Sequence, residues 1–261
     1  MRISLSKMAD SKTPKILCSV ATRGRYDTTL PLVLNAIINQ TRPVDKLVVF
    51  DDNDEPKDVR EELIYSYFFR MLEIKGIAWE WKFAEKKGQH HIHQMANHMG
   101  YEWVWRCDDD AIPEPNVLEK LVWWIEHHPK LGAVGGPIWT PPDIPDTAGV
   151  TGLIDKIDEE PNIQWGKFYA AQEVDHLHCS FLYRAGVADY NTGLSRVAHR
   201  EETLFTYELK REGYEIWVDP EPITWHMKNP QGGIRSETQQ EMYGHDEQIF
   251  RNILAFRDKN M

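Results

Sequence analysis

The sequence is poor in cysteine and contains no long apolar run. Its 261 residues include only three cysteines, Cys18, Cys107 and Cys179, which lie far apart and form no Cys-x-x-Cys pair. This spacing argues against a disulfide framework and against a zinc site. No apolar stretch approaches the ~20 residues that span a bilayer, and residues 1–13 lack the apolar core of a signal peptide. We therefore expect a flexible leader over residues 1–13 and a cytoplasmic protein without a transmembrane segment.

Positive charge is also scarce, because 30 lysines and arginines stand against 41 aspartates and glutamates, for a formal net charge of −11. This balance argues against a broad basic surface for nucleic acid or for an anionic membrane. A substrate that carries phosphate would then need a metal ion or a local group of cations. No Gly-x-Gly-x-x-Gly motif follows the first apolar run, which disfavours a dinucleotide-dependent oxidoreductase.

What the chain does contain is an alternation of strand-like and helix-like segments. Apolar runs at 15–21, 46–50, 77–83, 103–105 and 131–134 predict strands, and apolar residues at helical spacing predict helices over 30–38, 59–74 and 116–127, with a helix end at 94–100. Such alternation implies right-handed crossovers and a largely parallel sheet, so the predicted class is α/β. Ligands of such sheets lie at the carboxyl ends of the strands.

The second half of the chain is less regular. Residues 139–164 are rich in proline, glycine and acidic residues and are interpreted as a long functional loop. A helix is predicted over 200–212, strands over 215–218 and 223–226, and a short closing helix over 246–256. Trp103, Trp105, Trp123 and Trp124 are expected in the core.

Three consecutive aspartates, Asp108, Asp109 and Asp110, follow the strand-like run at 103–105. In an extended chain Asp108 and Asp110 would project to the same side and Asp109 to another. Two such carboxylates suit Mg²⁺ or Mn²⁺ bridging to substrate phosphates. The alternative is an acidic turn that caps the next helix. Polar residues also end the first two strands, at Thr22-Arg23-Gly24-Arg25 and at Asp51-Asp52-Asn53-Asp54, as expected for a site at this edge.

Several segments occur in the order and at nearly the spacing of a known family. They are Ser19-Val20-Ala21-Thr22-Arg23-Gly24-Arg25, Asn39-Gln40-Thr41 with Pro43, Leu47-Val48-Val49-Phe50-Asp51-Asp52-Asn53, Asp108-x-Asp110 with Pro115 and Leu118, Arg200-Glu201-Glu202 with Gly213-Tyr214, and Pro220 with Trp225-His226. Together they resemble the family 2 glycosyltransferases of the GT-A fold. The resemblance covers nearly all of residues 15–226.

The resemblance implies a GT-A fold, Rossmann-like, with a mostly parallel central sheet and helices on both faces. It implies one catalytic domain over residues 14–228, with a nucleotide-sugar half at 14–138 and an acceptor half at 139–228. Apart from the resemblance, the Gly232-Gly233 pair flanked by Lys228 and Arg235 suits the hinge of a lid over a diphosphate, so residues 229–261 are expected to form a lid and a closing helix. The alternative is an ordinary solvated loop. The donor implied is a nucleoside diphosphate sugar, in particular a UDP-sugar, and the cofactor is Mn²⁺ or Mg²⁺.

Carried over by position, the resemblance assigns roles to individual residues. Thr22 and Asp52 would hold the base and ribose of the nucleotide with Asp108 nearby, while Asp110 and His226 would ligate the metal. Binding roles are also expected for three cations that flank the site and the hinge, Arg25, Lys228 and Arg235. Gly88 and Asn97 match family residues that approach the nucleotide-sugar. Trp139 and Trp165, at either end of the long loop, are candidates for stacking on an acceptor.

The predicted reaction is attack of an acceptor hydroxyl on the anomeric carbon as nucleoside diphosphate departs, with inversion. Glu202 stands where the family has the Asp of a Glu-Asp pair and is the predicted general base, with Glu201 orienting it or binding the acceptor. Alternatively, both glutamates only favour the start of a helix through its dipole. Glu in place of Asp leaves the choice between Glu201 and Glu202 open.

Other functions remain open at this point. A non-catalytic sugar-nucleotide binder would not need both Asp108-x-Asp110 and Glu201-Glu202. A sugar-phosphate nucleotidyltransferase would carry a glycine-rich loop where Thr22-Arg23-Gly24-Arg25 stands. The histidines at 90, 91 and 93 are not a specific zinc signature. The sequence leaves the acceptor unidentified, whether a glycan, a lipid-linked sugar, a protein or a modified nucleic-acid base.

Overall fold

The computed structural model describes residues 14–141, 156–157, 163–164, 168–234 and 238–255. Its strands are β1 (Ile16–Thr22), β2 (Lys46–Asp51), β3 (Ala78–Phe83), β4 (Trp103–Asp108), β5 (Ala111–Pro113), β6 (Leu131–Gly135), β7 (Ile138–Trp139), β8 (Lys156–Ile157), β9 (Ile163–Gln164), β10 (Gln172–Glu173), β11 (Ser180–Arg184), β12 (Glu215–Val218) and β13 (Thr224–His226). Its helices are α1 (Leu30–Ile38), α2 (Leu63–Ile74), α3 (Gln89–Asn97), α4 (Val117–His127), α5 (Glu201–Arg211) and α6 (Gln239–Leu254). Across these ranges, no helix has the length and apolar character that a membrane crossing requires.

The central sheet has eight strands in the order β10-β12-β6-β11-β4-β1-β2-β3. Strands β4, β1, β2 and β3 run parallel side by side, and β12 is parallel to β6. Strand β11 is antiparallel to both β4 and β6, and β10 is antiparallel to β12. The predicted α/β class with a mostly parallel sheet is confirmed.

The side chains of β1 alternate between two apolar layers. Cys18 and Val20 belong to the layer that α1, α2 and α4 cover, whereas Leu17 belongs to the layer that α3 and α5 cover. Because both faces of the strand are buried, its sequence is a continuous apolar run, and each fully buried aliphatic side chain contributes roughly 1.5–3 kcal/mol. Helices on both faces, as predicted, are confirmed.

A second sheet, β5-β13-β7, begins directly after the aspartate triplet. Strand β13 runs antiparallel to β5 with His226 opposite Ala111, the residue that follows Asp110. The backbone N–H of Met227 donates to the carbonyl oxygen of Asp110 at 2.9 Å. This pairing brings a histidine from late in the chain to the end of β4.

Some elements differ from the sequence expectation. Helix α3 begins at Gln89, whereas the sequence indicates only a helix end near 94–100. The apolar pattern does not extend to the start of this helix, because the positions on its inner face include two histidines, His90 and His93, which are fully buried. Helix α2 begins at Leu63 rather than 59, and α6 begins at Gln239 rather than 246. Trp123, expected in the core, is 50% exposed. Most of the predicted long loop at 139–164 lies outside the described residues.

Candidate active site

The carboxyl ends of β1, β2 and β4 open into one cleft, as the parallel arrangement requires. The polar residues that line it are Thr22, Arg23, Arg25, Asp52, Gln89, Asp108, Asp109, Asp110, Arg196, His226 and Tyr243. Chain segments far apart in sequence thus converge on a single site. Of the predicted site residues, Thr22, Arg25, Asp52, Asp108, Asp110 and His226 meet there.

The three aspartates of the triplet have different partners. Strand β4 ends at Asp108 and residues 109–110 form a turn, so the side-to-side alternation of an extended chain does not continue to Asp110. Asp108 accepts a hydrogen bond from Arg106 at 2.9 Å. Asp109 and Asp110 share the guanidinium of Arg25. All three carboxylates nevertheless line the cleft.

Asp110 and His226 form a pair. The imidazole Nε2 of His226 lies 3.4 Å from Oδ1 of Asp110. Burial alone would lower the pKa of His226, but the hydrogen bond and charge of Asp110, with the charge of Asp108, raise it overall. Burial would raise the pKa of Asp110, and His226 with Arg25 lowers it overall. The pair therefore favours the charged carboxylate.

A carboxylate with substrate phosphates suits Mg²⁺ or Mn²⁺, and an added imidazole nitrogen is a ligand that transition metals accept more readily than Mg²⁺ does. In the described part of the chain, no group of three or more histidine, cysteine, aspartate or glutamate side chains forms a complete metal cage. Asp110 and His226, with Asp108 beside them, would thus supply only part of a coordination shell. The donor set fits an ion that is shared with substrate phosphate.

Asp109 fastens the loop that follows β1. Its carboxylate accepts from the backbone N–H of Arg23 at 3.2 Å and from the guanidinium of Arg25. Burial raises the pKa of Asp109 to about 6 even though the charge of Arg25 lowers it. Asp109 is thus mainly engaged in holding the β1–α1 loop.

Arg25, predicted to bind the nucleotide, is engaged with protein groups. Besides Asp109 and Asp110, it donates from Nε to the carbonyl oxygen of Gln231 at 3.1 Å and from Nη2 to that of Asn229 at 3.4 Å. The backbone N–H of Asn229 in turn donates to Asp110 at 3.1 Å. Arg25 therefore connects the triplet to residues 229–231 of the predicted lid.

The other two predicted cations, Lys228 and Arg235, flank the predicted hinge at Gly232-Gly233, and the structure says less about their contacts. Lys228 follows His226 by two residues, with a left-handed backbone (φ 46°), and its charge lowers the pKa of that imidazole. Arg235 lies outside the described residues. Their predicted roles in binding the donor stay predictions.

Gly232 and Gly233, the predicted hinge, make a close backbone contact with the β1–α1 loop. Gly233 donates its N–H to the carbonyl oxygen of Arg23 at 2.9 Å. Gly232 has φ +75°, and a Cβ there would lie 2.3 Å from the same carbonyl oxygen. Gly24 lies opposite Gly232, and a Cβ added to Gly24 would lie 2.9 Å from the Cα of Gly232. Only glycine permits this approach, so residues 232–233 pack directly against the β1–α1 loop.

We expect Gly232→Ala to push residues 229–234 off the β1–α1 loop, because its Cβ would meet a backbone carbonyl. Gly76→Ala is the matched control, since Gly76 has φ +69° with nothing within 4 Å of its Cβ position. Both variants bear the strain of a positive φ, and Gly232→Ala should lose about 1–3 kcal/mol more from overpacking. Hydrogen exchange over 22–26 and 227–234 should accelerate only in Gly232→Ala. Equal stability and equal exchange in the two variants would show that the contact is not tight.

Asp52 lies at the end of β2 and is 4% exposed. Its Oδ2 accepts from the backbone N–H of Gly88 at 3.2 Å, while its Oδ1 has no hydrogen-bond partner among the described residues. Burial raises the pKa of Asp52 although the charge of Arg196 lowers it. Asp52 therefore leaves one buried carboxylate oxygen, at the wall of the cleft, without a hydrogen-bond donor from the described part of the chain.

Gly88 and Asn97 fall in different places. Gly88 lines the cleft, and a Cβ there would lie 2.4 Å from the carbonyl oxygen of Arg196. Asn97, however, donates to the carbonyl of Ala188 at 2.8 Å and accepts from the N–H of Gly186 at 2.9 Å. The side-chain amide of Asn97 thus fastens α3 to the loop after β11.

Glu201 and Glu202 begin α5 but differ in exposure. Glu201 is fully buried and accepts from Arg106 at 2.5 Å and from Gln89 at 3.2 Å. Burial raises the pKa of Glu201 to about 8 despite the charge of Arg106. Glu201 is thus bonded to protein groups on both sides, and its predicted role, whether orienting or acceptor-binding, stays a prediction.

Glu202 keeps 17% of its side chain exposed. Its Oε1 accepts from Arg106 and from the backbone N–H of Cys179, both at 3.3 Å. The thiol of Cys179 lies 3.5 Å from Nδ1 of His226. Cys179 therefore connects Glu202 at the start of α5 to His226 of the Asp110–His226 pair.

Sequence reasoning missed two cations, Arg106 and Arg196. Arg106 is fully buried in β4 amid tryptophans, and a charged residue inside an apolar strand is itself a signal that buried carboxylates must lie nearby. Arg196 lines the cleft and pairs with Asp54 at 2.8 Å, but it comes from an irregular segment that carries no such signal.

The two tryptophans predicted to stack on an acceptor are not both described. Trp139 packs edge-on against Trp225, with ring centroids 5.0 Å apart. Trp165 lies outside the described residues. An acceptor-stacking role for either one stays a prediction.

Comparison with known proteins agrees with this fold. Residues 20–152, about half of the chain, match the protein-family model described as glycosyl transferase family 2. A stretch of 104 residues is 31% identical to an uncharacterized glycosyltransferase of Haemophilus influenzae, and it covers 40% of this chain and 37% of that protein.

Solved structures share the fold at low identity. GalNAc-T7, crystallised with UDP, GalNAc and Mn²⁺, superposes over 92% of this chain with a TM-score of 0.71 and 13% identity. S. aureus TarS 1–349 in complex with UDP-GlcNAc superposes over 94% with a TM-score of 0.62 and 16% identity. The likeness covers 74% of the TarS 1–349 chain but only 48% of the GalNAc-T7 chain. This chain therefore spans less than half the length of GalNAc-T7 and of the Haemophilus influenzae relative. The fold, the order of the cleft residues and the family match together establish that this chain belongs to glycosyl transferase family 2.

Proposed function

We propose that the protein transfers a sugar from a nucleoside diphosphate sugar, in particular a UDP-sugar, to an acceptor hydroxyl, in a metal-dependent reaction that inverts the anomeric centre. The observation that carries this proposal is the convergence of Asp52, Asp110 and His226 on one cleft at the carboxyl ends of the strands, with Glu202 joined through Arg106 to Asp108 of the same cleft. These residues supply a nucleotide contact, a metal site and a base.

The donor nucleotide is proposed to lie across the ends of β1 and β2. The unpartnered Oδ1 of Asp52 supports this, because a buried carboxylate oxygen gains a hydrogen bond from a ribose hydroxyl or a base N–H. Thr22, which is 1% exposed, borders the same part of the cleft. Arg196 supplies a cation at its rim.

Asp110 and His226 are proposed to hold the metal ion, with Asp108 adjacent. Bound there with the diphosphate, a divalent ion supplies positive charge that offsets the charge growing on the leaving group. The 3.4 Å separation of Oδ1 and Nε2 and the lowered pKa of Asp110 support this assignment. Two proteins of the same fold were crystallised with such ligands, GalNAc-T7 with UDP, GalNAc and Mn²⁺ and TarS with UDP-GlcNAc, and this supports a UDP-sugar as the proposed donor.

Glu202 is proposed as the general base that accepts the proton of the acceptor hydroxyl. Its partial exposure, in contrast to the full burial of Glu201, supports the choice. A single displacement by a hydroxyl on the face opposite the leaving diphosphate inverts the configuration at the anomeric carbon. We therefore expect an α-linked donor to yield a β-linked product, which proton NMR of the fresh product would reveal.

The test is a donor panel. UDP-glucose, UDP-galactose, UDP-GlcNAc, UDP-GalNAc and GDP-mannose are each incubated with the protein and Mn²⁺, and release of nucleoside diphosphate is measured with water as the acceptor. We expect release from at least one UDP-sugar. Binding of UDP with no release from any donor would instead favour a non-catalytic sugar-nucleotide binder.

We expect Asp52→Ala to weaken UDP binding by roughly 10–10²-fold, since a hydrogen bond to a charged group is worth about 1.5–3 kcal/mol. Asp189→Ala is the control, because Asp189 is an exposed aspartate paired with His98. Calorimetric titration with UDP and Mn²⁺ measures both variants. Unchanged affinity in Asp52→Ala would mean that the nucleotide does not lie against β2.

A further inference from the structure

Arg106 is a fully buried arginine that carboxylates surround. Its Nη1 donates to Glu201 at 2.5 Å, and its Nη2 lies 2.9 Å from Asp108 and 3.3 Å from Glu202. The guanidinium also packs over the ring of Phe181, 5.2 Å from its centroid. One cation in β4 thus contacts the acidic pair of α5 and the first aspartate of the triplet.

This arrangement is costly for folding. Burying a guanidinium costs several kcal/mol, and a buried ion pair seldom stabilises more than apolar residues of the same size. Three carboxyl groups also crowd around one cation in a low-dielectric environment, and burial there raises the pKa of Glu201, which reflects the cost of charging it. Stability alone therefore does not account for an arginine at this position.

The geometry points to a different role. A single nitrogen, Nη2, bridges Asp108, which lines the cleft, and Glu202, at the start of α5. The other nitrogen is fixed by Glu201, which Gln89 of α3 holds in turn. The carboxylate of Glu202 is therefore held at a set position relative to the end of β4.

We propose that Arg106 is a positioning residue that fixes the Glu202 carboxylate relative to the donor and so determines turnover rather than donor binding. This inference rests on the proposed function, in which Glu202 is the base. A displacement of about 1 Å in a reacting group costs up to roughly 10²-fold in rate, so a side chain that only orients a base has a large effect on kcat. Glu201 acts one step further away, by anchoring the guanidinium.

Lysine would not replace arginine in this role. The planar guanidinium presents several donors in a fixed fork, whereas an ammonium group is a single point charge on a flexible stem. We therefore expect Arg106→Lys to keep a charge in the pocket but to lose the bridge between Asp108 and Glu202.

The test compares Arg106→Met and Arg106→Lys in the wild-type and Glu202→Gln backgrounds, with hydrolysis of UDP-glucose and of UDP-GlcNAc in the presence of Mn²⁺ as the activity. Titration with UDP and Mn²⁺, followed by tryptophan fluorescence, and thermal melting are measured on the same samples. Arg184→Met is the matched control, because Arg184 on the neighbouring strand β11 bonds the carbonyl of Leu131 and packs over Trp103.

In the wild-type background, we expect Arg106→Met to lower kcat about 10²-fold and Arg106→Lys about tenfold, with KM and UDP affinity within about threefold of wild type. In the Glu202→Gln background neither change should lower kcat further, because the group that Arg106 positions is already inactive. Arg184→Met should leave kcat unchanged in both backgrounds. If Arg106→Met does not fold, Arg106→Lys gives the same comparison.

The possible failures are distinguishable. If Glu202→Gln is inactive but the Arg106 variants lower kcat by the same factor in both backgrounds, Arg106 acts independently of Glu202 and the inference is wrong while the proposed function stands. If the Arg106 variants change only UDP affinity or only the melting temperature, the inference is also wrong. If Glu202→Gln retains full turnover, the proposed base and the inference fall together.

Discussion

Glu202→Gln is expected to lower turnover roughly 10²–10⁴-fold while leaving UDP affinity and melting temperature nearly unchanged. Gln keeps the shape of the side chain and its contact with the N–H of Cys179, but it cannot accept a proton from the acceptor hydroxyl. If Glu202 only favoured the start of α5 through the helix dipole, the same change would cost a few tenths to about 1 kcal/mol of stability and leave turnover intact. Steady-state kinetics and thermal melting on one sample separate these two roles.

Glu201→Gln is the matched control, one position earlier in the same helix. Because Glu201 is fully buried against Arg106, we expect this change to cost about 1–3 kcal/mol of stability and to lower turnover less than Glu202→Gln does. An inactive Glu201→Gln beside an active Glu202→Gln would transfer the role of base to Glu201. Full activity in both variants would contradict the proposed displacement mechanism.

Asp110→Ala is expected to lower turnover by roughly 10³-fold or more, equivalent to ~4 kcal/mol of transition-state stabilisation. The carboxylate lies beside His226 and is the proposed ligand of the ion that offsets the charge on the departing diphosphate. Electron paramagnetic resonance of Mn²⁺ in the presence of UDP measures the metal affinity directly. We expect that affinity to fall together with turnover.

Asp109→Asn is the control for Asp110→Ala, since Asp109 is the adjacent aspartate and bonds the β1–α1 loop. We expect Asp109→Asn to loosen that loop and to keep Mn²⁺ affinity near the wild-type value. Equal loss of Mn²⁺ binding in the two variants would show that the triplet acts through the loop rather than through ligation by Asp110.

The elements that were predictable from the sequence are those whose pattern is local. Strand β1 is an apolar run with both faces buried, and the polar residues at its end and at the end of β2 indicate the edge at which a ligand binds. Asp52 and the aspartate triplet were found in this way. His226 was found because the family resemblance gave meaning to a histidine that follows the strand after Pro220.

The features that were not predictable depend on pairing between distant segments. The start of α3 was not predicted, because its buried positions include His90 and His93, and histidine does not contribute to an apolar pattern in the sequence. The contact between Gly24 and Gly232 could not be predicted, because the two glycines are more than 200 residues apart in the sequence. The ion pairs of Arg25 with Asp109 and Asp110 join distant segments of the chain. The same is true of the ion pairs of Arg106 with Glu201 and Glu202. No spacing in the sequence predicts such pairs.

The central claim is metal-dependent transfer from a nucleoside diphosphate sugar, and one time course tests it most directly. Release of UDP from the most rapidly used donor of the panel is followed with Mn²⁺ present, then after excess EDTA, and then after Mn²⁺ is restored. We predict that release stops with EDTA and resumes with Mn²⁺, because the charge on the departing diphosphate is offset only while the ion is bound. Undiminished release in excess EDTA, or no release from any donor in Mn²⁺, would contradict the account.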